Sequence, residues 1–329
     1  MNDITLHPLL FKPIYQYRLW GGRRLAGLLK EPLPQGPVGE AWILSDRDDH
    51  ASVVTNGLYQ GYTLTQLFAQ YPENIMGKLA STFDRFPLLL KFLDCKEVLS
   101  IQVHPSDDQK EYIPPGDTGK TEAWVVLETG KKALVYSGLK PGTNAEDLRK
   151  ALAVHKVADY IHNFTPKDGD AVFIHSGTVH TLADVVVFEV QENSDTTYRL
   201  YDWDRVDAKT GKPRELDVDK AIACIDFNIT DVEPVKPKIE SALPILREQL
   251  FNNEHFILWR IQTEDQFSVG AEDVPRILVC VDGEGAVHYD GTDYLITKGD
   301  VMLIPAVLGV LNCSPKGKIN LLEIAIPEN

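Results

Sequence analysis

The sequence has few cysteines, and their spacing excludes the usual cysteine motifs. Four are present, at Cys95, Cys224, Cys280 and Cys313, and no two of them form a Cys-x-x-Cys pair. Such scattered cysteines are typical of free thiols in a reducing compartment rather than of a disulfide framework. We therefore expect a chain without disulfides.

Long apolar segments are also missing. No apolar run approaches the roughly 20 residues that a helix needs to cross a bilayer. The first residues, MNDITLHPLLF, contain an acidic Asp3 and no long apolar stretch, so we do not expect a signal peptide there. Together with free thiols, these features predict a cytoplasmic protein that does not associate with membranes.

Basic residues are outnumbered by acidic ones. The chain has 33 Lys and Arg against 48 Asp and Glu, and its formal net charge is −15. This balance argues against nucleic acid and anionic membranes as main partners. A phosphorylated ligand would need a local cluster of basic side chains. The 329 residues, 43% of them hydrophobic, suffice for two folded domains or for one domain with a long insertion.

The sequence does contain many short runs that are typical of β-strands. They are rich in β-branched and aromatic residues, and Gly, Pro or Asp bounds most of them. Examples are KALVYSGL, DAVFIHSG, DVVVFEVQE, HFILWRIQ and PRILVCVDG. Helical spacing of apolar residues is rarer, and occurs in TLTQLFAQYP, TNAEDLRKALA and LDVDKAIACI. The chain is therefore predicted to be mainly β, with antiparallel sandwiches or barrels and with helices grouped in insertions.

A segment rich in Pro and Lys, DVEPVKPKIESALP at 231–244, is typical of a linker between domains. We place the boundary within it and predict a first domain at 1–235 and a second at 236–329. The second domain would consist almost entirely of strands.

An internal repeat supports this division. Residues 169–180 read GDAVFIHSGTVH and residues 299–310 read GDVMLIPAVLGV, so they align without a gap. Both have Gly-Asp, an apolar strand, a turn and a return strand, although two β-hairpins can match by chance over so short a length. The first copy ends in His180 and the second in Val310. We therefore expect a polar interior in the first domain and a structural role for the second.

Four side chains in the first domain are candidate metal ligands. Gln102 and His104 are two residues apart in LSIQVHP, so on a strand they point to one face. Glu122 lies in TGKTEAW, and His180 ends the turn of HSGTVH. An amide oxygen, a carboxylate and two imidazoles suit Zn²⁺ and also Mn²⁺, Co²⁺ or Fe²⁺. Each residue alone is more often structural, and the spacing does not exclude His175 as the ligand in place of His180.

Polar residues near these ligands suggest a binding pocket. Ser100 precedes Gln102 by two residues, and Lys120 precedes Glu122 by two, so each pair projects to one side of an extended segment. Glu189 alternates with apolar residues in the strand DVVVFEVQE. These residue types would provide hydrogen-bonding groups and charge inside a barrel.

Arg199 is the candidate for binding an anion. It follows the stretch ENSDTTY, and an arginine can contact a phosphate with two parallel hydrogen bonds. The alternative is a surface ion pair with Asp202 or Asp204. A barrel interior that combined Arg199 and Lys120 with a metal would bind a polar, anionic small molecule.

Several motifs, in this order along nearly the whole chain, resemble those of one enzyme family. They are YRLWGG, VGEAW, LSIQVHPSD, GKTEAW, SGTVH and ENSDTTYR. The resemblance is to type I mannose-6-phosphate isomerases, in their short bacterial branch. It implies a fold of two cupin, or jelly-roll, β-barrels with helical insertions in the N-terminal half. It also implies one Zn²⁺ per chain and the interconversion of mannose 6-phosphate and fructose 6-phosphate.

The resemblance also implies roles for individual residues. Its metal ligands correspond to Gln102, His104, Glu122 and His180, which favours His180 over His175. Arg199 matches an arginine taken as catalytic, and Ser100, Lys120 and Glu189 match positions around the substrate. We accordingly expect Arg199, Lys120 and Glu189 to be catalytic and Ser100, Lys120 and Arg199 to bind substrate.

The reaction implied by the family moves a proton between C1 and C2 of an open-chain sugar phosphate through a cis-enediol. It needs a base, stabilisation of the enediolate and an anchor for the phosphate. A metal-bound hydroxide, Lys120 and Glu189 all remain candidates for the base. Rival functions are isomerisation of another sugar phosphate, a cupin dioxygenase, and non-catalytic binding of a sugar phosphate. We expect a monomer or a homodimer.

Overall fold

A computed structural model describes residues 6–328, and the fold is mainly β, as predicted, with 42% strand and 15% helix. The strands, numbered in chain order, are β1 (Leu9–Leu10), β2 (Ile14–Gln16), β3 (Glu40–Leu44), β4 (Leu88–Cys95), β5 (Ile101–Val103), β6 (Glu122–Leu139), β7 (Ile161–Phe164), β8 (Ala171–Ile174), β9 (His180–Glu192), β10 (Tyr198–Tyr201), β11 (Val206–Asp207), β12 (Lys212–Pro213), β13 (Lys238–Ser241), β14 (Leu246–Asn252), β15 (Ile257–Thr263), β16 (Phe267–Gly270), β17 (Arg276–Asp282), β18 (Glu284–Tyr289), β19 (Thr292–Thr297), β20 (Val301–Ile304), β21 (Val310–Pro315) and β22 (Ile319–Ala325).

The α-helices of the described chain all lie before residue 225, and three of the four lie in the N-terminal half, where helices were predicted. They are α1 (Leu64–Gln70), α2 (Pro72–Met76), α3 (Ala145–Ala153) and α4 (Val218–Cys224). Short 3₁₀ helices occupy Arg24–Gly27, Gly57–Tyr59, Gly77–Leu79, Lys110–Tyr112, Val157–Tyr160 and Ala306–Leu308.

The helix boundaries follow from capping residues. Thr63 begins α1, where its side chain accepts from the backbone of Gln66 and the Gln66 side chain accepts from the backbone of Thr63. Asn144 forms the same reciprocal pair with Asp147 at the start of α3. Each pair satisfies backbone N–H groups that have no partner within the helix. Each of the three predicted helical segments contains a helix, in α1, α3 and α4.

The first barrel has two faces that share the long strands β6 and β9. On one face, β4 and β8 flank the second half of β9 and the first half of β6. On the other face, β5 and β7 flank the first half of β9 and the second half of β6. β6 and β9 therefore cross from one face to the other. Because Glu122 begins β6 and His180 begins β9, they start on opposite faces and can meet in the interior.

The crossing point is marked by local distortions in both strands. The register between β6 and β9 shifts between Thr129 and Leu134, and Asp184 of β9 has a φ of 49°. The Asp184 carboxylate accepts a hydrogen bond from the Lys132 backbone at 2.9 Å. It also occupies the space beside Gly130, where a Cβ would lie 2.0 Å from Asp184 Oδ1. A glycine at 130 thus allows the two strands to bend together.

The C-terminal half contains two further sheets. The larger has the order β1-β20-β17-β22-β15-β14-β13, and the smaller has the order β16-β21-β18-β19. The predicted linker, 231–244, includes β13, which pairs with β14. The chain's first strand also joins this half, because Leu9 of β1 pairs with Leu303 of β20. One continuous apolar core extends across both halves. Division into domains 1–235 and 236–329 stays a prediction.

The internal repeat is present in three dimensions. β8 and β20 occupy equivalent positions in the two copies, and the return strands β9 and β21 begin at His180 and Val310. The exposed fraction is 1% for His180 and 50% for Val310. The shared pattern therefore encodes the same strand-turn-strand unit, but the structure buries a polar group only in the first copy.

All four cysteines are buried and free, as the sequence predicted. Within 6–328 there is no helix with the length and apolar character needed to span a membrane.

Candidate active site

Three predicted ligands meet inside the first barrel. His104 directly follows β5, Glu122 begins β6 and His180 begins β9. The His104 Nε2 atom lies 3.4 Å from Glu122 Oε2, and the His180 Nε2 atom lies 3.4 Å from Glu122 Oε1. All three side chains are buried, and their potential ligand atoms lie within 4.8 Å of one another. The curled sheet thus brings together residues that are up to 76 positions apart in the sequence.

Both imidazoles are oriented by the backbone. The Nδ1 atom of His104 lies 2.8 Å from the carbonyl oxygen of Thr196, and that of His180 lies 2.9 Å from the carbonyl oxygen of Thr178. With Nδ1–H donating to a carbonyl, Nε2 keeps its lone pair and faces Glu122. Burial lowers the pKa of both histidines, that of His104 to about 3 with a further contribution from the Lys120 charge.

This donor set fits a divalent metal ion. Two neutral imidazole nitrogens and one carboxylate are the ligands found in open zinc sites, and the same set suits Mn²⁺, Co²⁺ or Fe²⁺. The hydrogen bonds from Nδ1 to carbonyl oxygens are the support that metal-binding histidines usually have. Burial raises the pKa of Glu122, but the adjacent Lys120 ammonium outweighs burial and leaves that pKa well below its ordinary value. Glu122 is therefore an anion at neutral pH, which is the form that binds a metal ion.

The remaining ligand candidates differ from this group. Gln102 pairs with His180 across β5 and β9, and its Nε2 atom lies 3.2 Å from His180 Nε2. Its Oε1 atom instead accepts a hydrogen bond from Ser100 Oγ at 3.1 Å. Gln102 would present its oxygen to a metal only after its amide rotated by 180°. His175 is exposed and lies outside the group of ligands, packed edge-on against Phe173.

A small pocket opens beside these ligands. Its lining includes five basic side chains, Arg18, Lys91, Lys120, Arg199 and Arg214. Four carboxylates line it as well, those of Glu40, Glu122, Glu189 and Asp195. This is the local basic cluster that an anionic ligand requires in a protein of net charge −15. Ser100 is buried behind Gln102 and is not among the lining residues.

Arg199 differs from the other basic residues of the pocket. It lies beside Gln102 on the adjacent strand β10, and its Nε atom is buried without a hydrogen-bond partner. Asp202, one of its predicted ion-pair partners, instead binds Arg205 and Arg214. Over residues 6–328, no carboxylate lies within ion-pair distance of Arg199. Its guanidinium is therefore available to a ligand.

Lys120 and Glu189 also point into the pocket. The Lys120 ammonium contacts the Glu122 carboxylate and lies 3.2 Å from His104 Nε2. Glu189 Oε2 accepts a hydrogen bond from the Trp124 indole at 2.9 Å, and its Oε1 lies 3.4 Å from Lys91 Nζ. Burial and the nearby Glu122 carboxylate raise the pKa of Glu189. A positively charged donor and a carboxylate thus face the same cavity.

Sequence reasoning missed five charged residues of this pocket, Arg18, Glu40, Lys91, Asp195 and Arg214. Lys91 lies at the centre of the fully buried strand β4, between the carboxylates of Glu40 and Glu189 at 4.0 and 3.4 Å. Glu40 also accepts from Arg18 at 2.8 Å and from the Trp42 indole at 2.7 Å. The available signal was a single lysine within the apolar run LLLKFL. A buried lysine needs a carboxylate partner, but sequence does not identify which one.

Comparison with known proteins relates this geometry to a family. Residues 9–122 match the family described as "Phosphomannose isomerase type I, catalytic domain". The chain is 35% identical over 308 residues to "Mannose-6-phosphate isomerase ManA" of Bacillus subtilis, covering 93% of this chain and 95% of that protein. The chain belongs to the type I mannose-6-phosphate isomerase family. A "Mannose-6-phosphate isomerase" of Streptococcus mutans is 31% identical over 300 residues, 91% of this chain and 92% of that one.

A solved structure from the mannose-6-phosphate isomerase family confirms the fold. The crystal structure of the mannose 6-phosphate isomerase from Bacillus subtilis matches this chain with a TM-score of 0.87 at 29% identity. The match covers 97% of this chain and 99% of that one. The mainly β cupin fold predicted from the motifs is therefore correct.

Proposed function

We propose that this protein interconverts D-mannose 6-phosphate and D-fructose 6-phosphate. The observation that carries the proposal is one pocket in which a buried His-Glu-His group lies beside an arginine that has no ion pair within residues 6–328. A metal ion held by the His-Glu-His group would polarise sugar oxygens, and the arginine would bind a phosphate. Relatives of the chain over nearly its full length are named for this activity.

His104, Glu122 and His180 would hold one divalent ion, for which we propose Zn²⁺. When bound, the ion would supply a Lewis acid that polarises the carbonyl and hydroxyl oxygens of the substrate. Gln102 is the proposed fourth ligand, since it adjoins His180 and needs only an amide rotation to turn its oxygen inward.

Arg199 would bind the phosphate. After the amide rotation, the Ser100 hydroxyl would accept a hydrogen bond from the Gln102 amide N–H and hold the rotated side chain. A guanidinium can donate two parallel hydrogen bonds to phosphate oxygens and so orient the substrate. Lys120 would stabilise the negative charge that develops on the substrate oxygens, because its ammonium faces the same cavity. Together these groups would position C1 and C2 of the open-chain sugar.

Glu189 is our candidate for the base. Its carboxylate lines the pocket, and the bonds to Trp124 and Lys91 hold it in place. It would remove the proton from C2 of the aldose to give a cis-enediolate. A proton would move from O2 to O1, and return of the first proton to C1 would give the ketose. The reverse reaction would use the same group, so Glu189 ends each cycle ionised.

The two predicted domains would have different roles. All the proposed catalytic residues lie within 1–235, whereas the equivalent of His180 in 236–329 is the exposed Val310. We therefore propose a catalytic first domain and a cupin-like second domain without this metal site. Free, buried cysteines support placing the enzyme in the reducing cytoplasm.

A coupled assay for fructose 6-phosphate tests the proposal. The protein is incubated with mannose 6-phosphate before chelation, after chelation, and again after Zn²⁺ is restored. We expect activity that disappears with the chelator and returns with the metal. Absence of turnover in fully metal-loaded protein would refute the proposal. Turnover of glucose 6-phosphate or another aldose phosphate in its place would identify a different isomerase on the same site.

A further inference from the structure

A second group of potential metal ligands lies outside the active-site pocket. Asp107, Glu192 and His255 place their ligand atoms within 4.8 Å of one another. Asp107 follows β5, Glu192 ends β9, and His255 lies in the turn between β14 and β15. We propose that these three residues form a second divalent metal site, which joins the C-terminal half of the chain to the first barrel.

Glu192 is the buried part of this site. Its exposed fraction is 7%, and its Oε2 atom accepts a hydrogen bond from the Thr121 backbone at 2.6 Å. Across residues 6–328, no donor hydrogen-bonds to its Oε1 atom, whose neighbour is His255 Nδ1 at 3.4 Å. The Glu192 carboxyl group also lies within hydrogen-bond reach of the Asp107 carboxyl group. A cation bound between them would stabilise both groups as carboxylates.

The charges around the group also favour a cation. In the described part of the chain, no Lys or Arg side chain lies within 4.0 Å of the Asp107 or Glu192 carboxylate. The adjoining cavity is lined by the further carboxylates of Asp84 and Glu254, and by Asp117, which is paired with Arg47. Its arginine, Arg85, is paired with Asp48. Burial and the Asp107 charge raise the pKa of Glu192 to about 8, which is the electrostatic result of two adjacent carboxyl groups without a counter-ion.

The chemistry of the ligands indicates the class of ion. Two carboxylates and one imidazole are a mixed oxygen and nitrogen set that suits Zn²⁺, Mn²⁺ or Co²⁺ more than Ca²⁺. Asp107 is exposed, so an ion can enter from solvent. Water would complete the coordination on that side.

The location suggests what the ion would do. Glu192 binds the backbone of Thr121, and Asp107 Oδ1 accepts from the backbone of Gly119 at 2.8 Å. These contacts flank Lys120 and Glu122, the residues that enter the active-site pocket. An ion bound here would hold the start of β6 and the His255 turn together. We infer a stabilising and positioning role rather than a catalytic one.

Metal stoichiometry tests the proposal independently of isomerase activity. Apo-protein is saturated with Zn²⁺, separated from free metal and analysed for zinc per chain. We expect two ions in the wild type and one in Asp107→Asn, His255→Gln and Glu122→Gln alike. Glu254→Gln is the matched control, because its carboxylate lies next to His255 but outside the group, and it should keep two.

Thermal melting provides a second readout that does not depend on these stoichiometries. In Glu122→Gln, added Zn²⁺ should still raise the melting temperature, and the additional change Asp107→Asn should remove that increase. Equal zinc content in the wild type and in His255→Gln or Asp107→Asn would overturn the proposal. This difference does not depend on the isomerase proposal, because it would remain if the His-Glu-His group held no ion.

Discussion

The Nδ1 atom of His104 lies 2.8 Å from the carbonyl oxygen of Thr196, so the ring presents Nε2 to Glu122. Thr196 belongs to ENSDTTYR, the segment that also carries Arg199. One segment therefore orients a proposed metal ligand and supplies the proposed phosphate anchor. In the proposed function, the orientation of the metal ligand His104 and the placement of the substrate therefore depend on the same segment.

Replacing His104 by Asn should abolish tight metal binding at the active site. The shorter amide can still donate to Thr196 but cannot place a second atom at the position of Nε2. We expect Zn²⁺ affinity at this site to fall by more than the roughly 10–100-fold that loss of an outer-shell partner costs. Competition with a chromophoric chelator measures the affinity, and circular dichroism checks the fold. His162→Asn, at a partly exposed histidine paired with Glu233, serves as control; equal affinity in both variants would contradict the ligand assignment.

Replacing Arg199 by Lys should weaken recognition of the phosphate. Lysine keeps the charge but loses the planar pair of donors, and a charged hydrogen bond contributes about 1.5–3 kcal/mol, so kcat/KM should fall roughly 10–150-fold. Inorganic phosphate should also become a weaker competitive inhibitor. Arg149→Lys, at an exposed ion pair with Asp219, should leave both values unchanged. If phosphate inhibits Arg199→Lys as well as it inhibits the wild type, the anchor is another residue.

Replacing Glu189 by Gln should remove the base while keeping the shape of the pocket. We expect kcat to fall about 10²–10⁴-fold with little change in KM, because general-base catalysis contributes on this scale. Exchange of the transferred proton with D₂O, followed by NMR, should slow in parallel. Glu128→Gln, an exposed position on the same face of the barrel, is the control. Normal exchange in Glu189→Gln together with its loss in Lys120→Arg would assign the base to Lys120.

The stability of the pocket should depend on pH through Glu40. Burial opposes its ionisation, but Arg18 and Lys91 lower its pKa from 4.5 to about 2. A carboxyl group whose pKa is lowered by folding stabilises the fold above its unfolded pKa, and this contribution is lost as pH falls from about 4.5 toward 2. At about 1.4 kcal/mol per pKa unit, it amounts to roughly 3 kcal/mol at neutral pH.

Urea unfolding of Glu40→Gln and wild type between pH 7 and pH 3 measures this contribution. The variant should be less stable at pH 7, and the difference should shrink below pH 4.5. Glu146→Gln, which removes an exposed carboxylate of a surface pair with Lys150, should show no such pH-dependent difference. A difference for Glu40→Gln that stays constant with pH would mean that its cost is steric rather than electrostatic.

Strand and helix patterns in the sequence predicted much of the fold. Three helical segments and the principal strands lie where spacing and capping residues indicated them, because these signals act over a few neighbouring residues. The pairing of β1 with β20 was not predictable in this way. It joins residues almost 300 positions apart, and Leu9–Leu10 is too short to display a strand pattern.

The sequence by itself determined which side chains could serve as ligands, since only a few residue types bind metal, and its motifs identified the family. The tertiary structure shows which of His180 and His175 lies beside Glu122, and whether Asp202 pairs with Arg199. The crossing of β6 and β9 brings His180 rather than His175 to Glu122, and the ion pairs of Asp202 leave Arg199 free. Lys91 and Glu40 also line the pocket, although no local sequence pattern indicated this, because their partners are distant in the sequence. Ligation and charge balance depend on distances of a few ångströms between residues that are remote in the chain, and only the packed fold sets those distances.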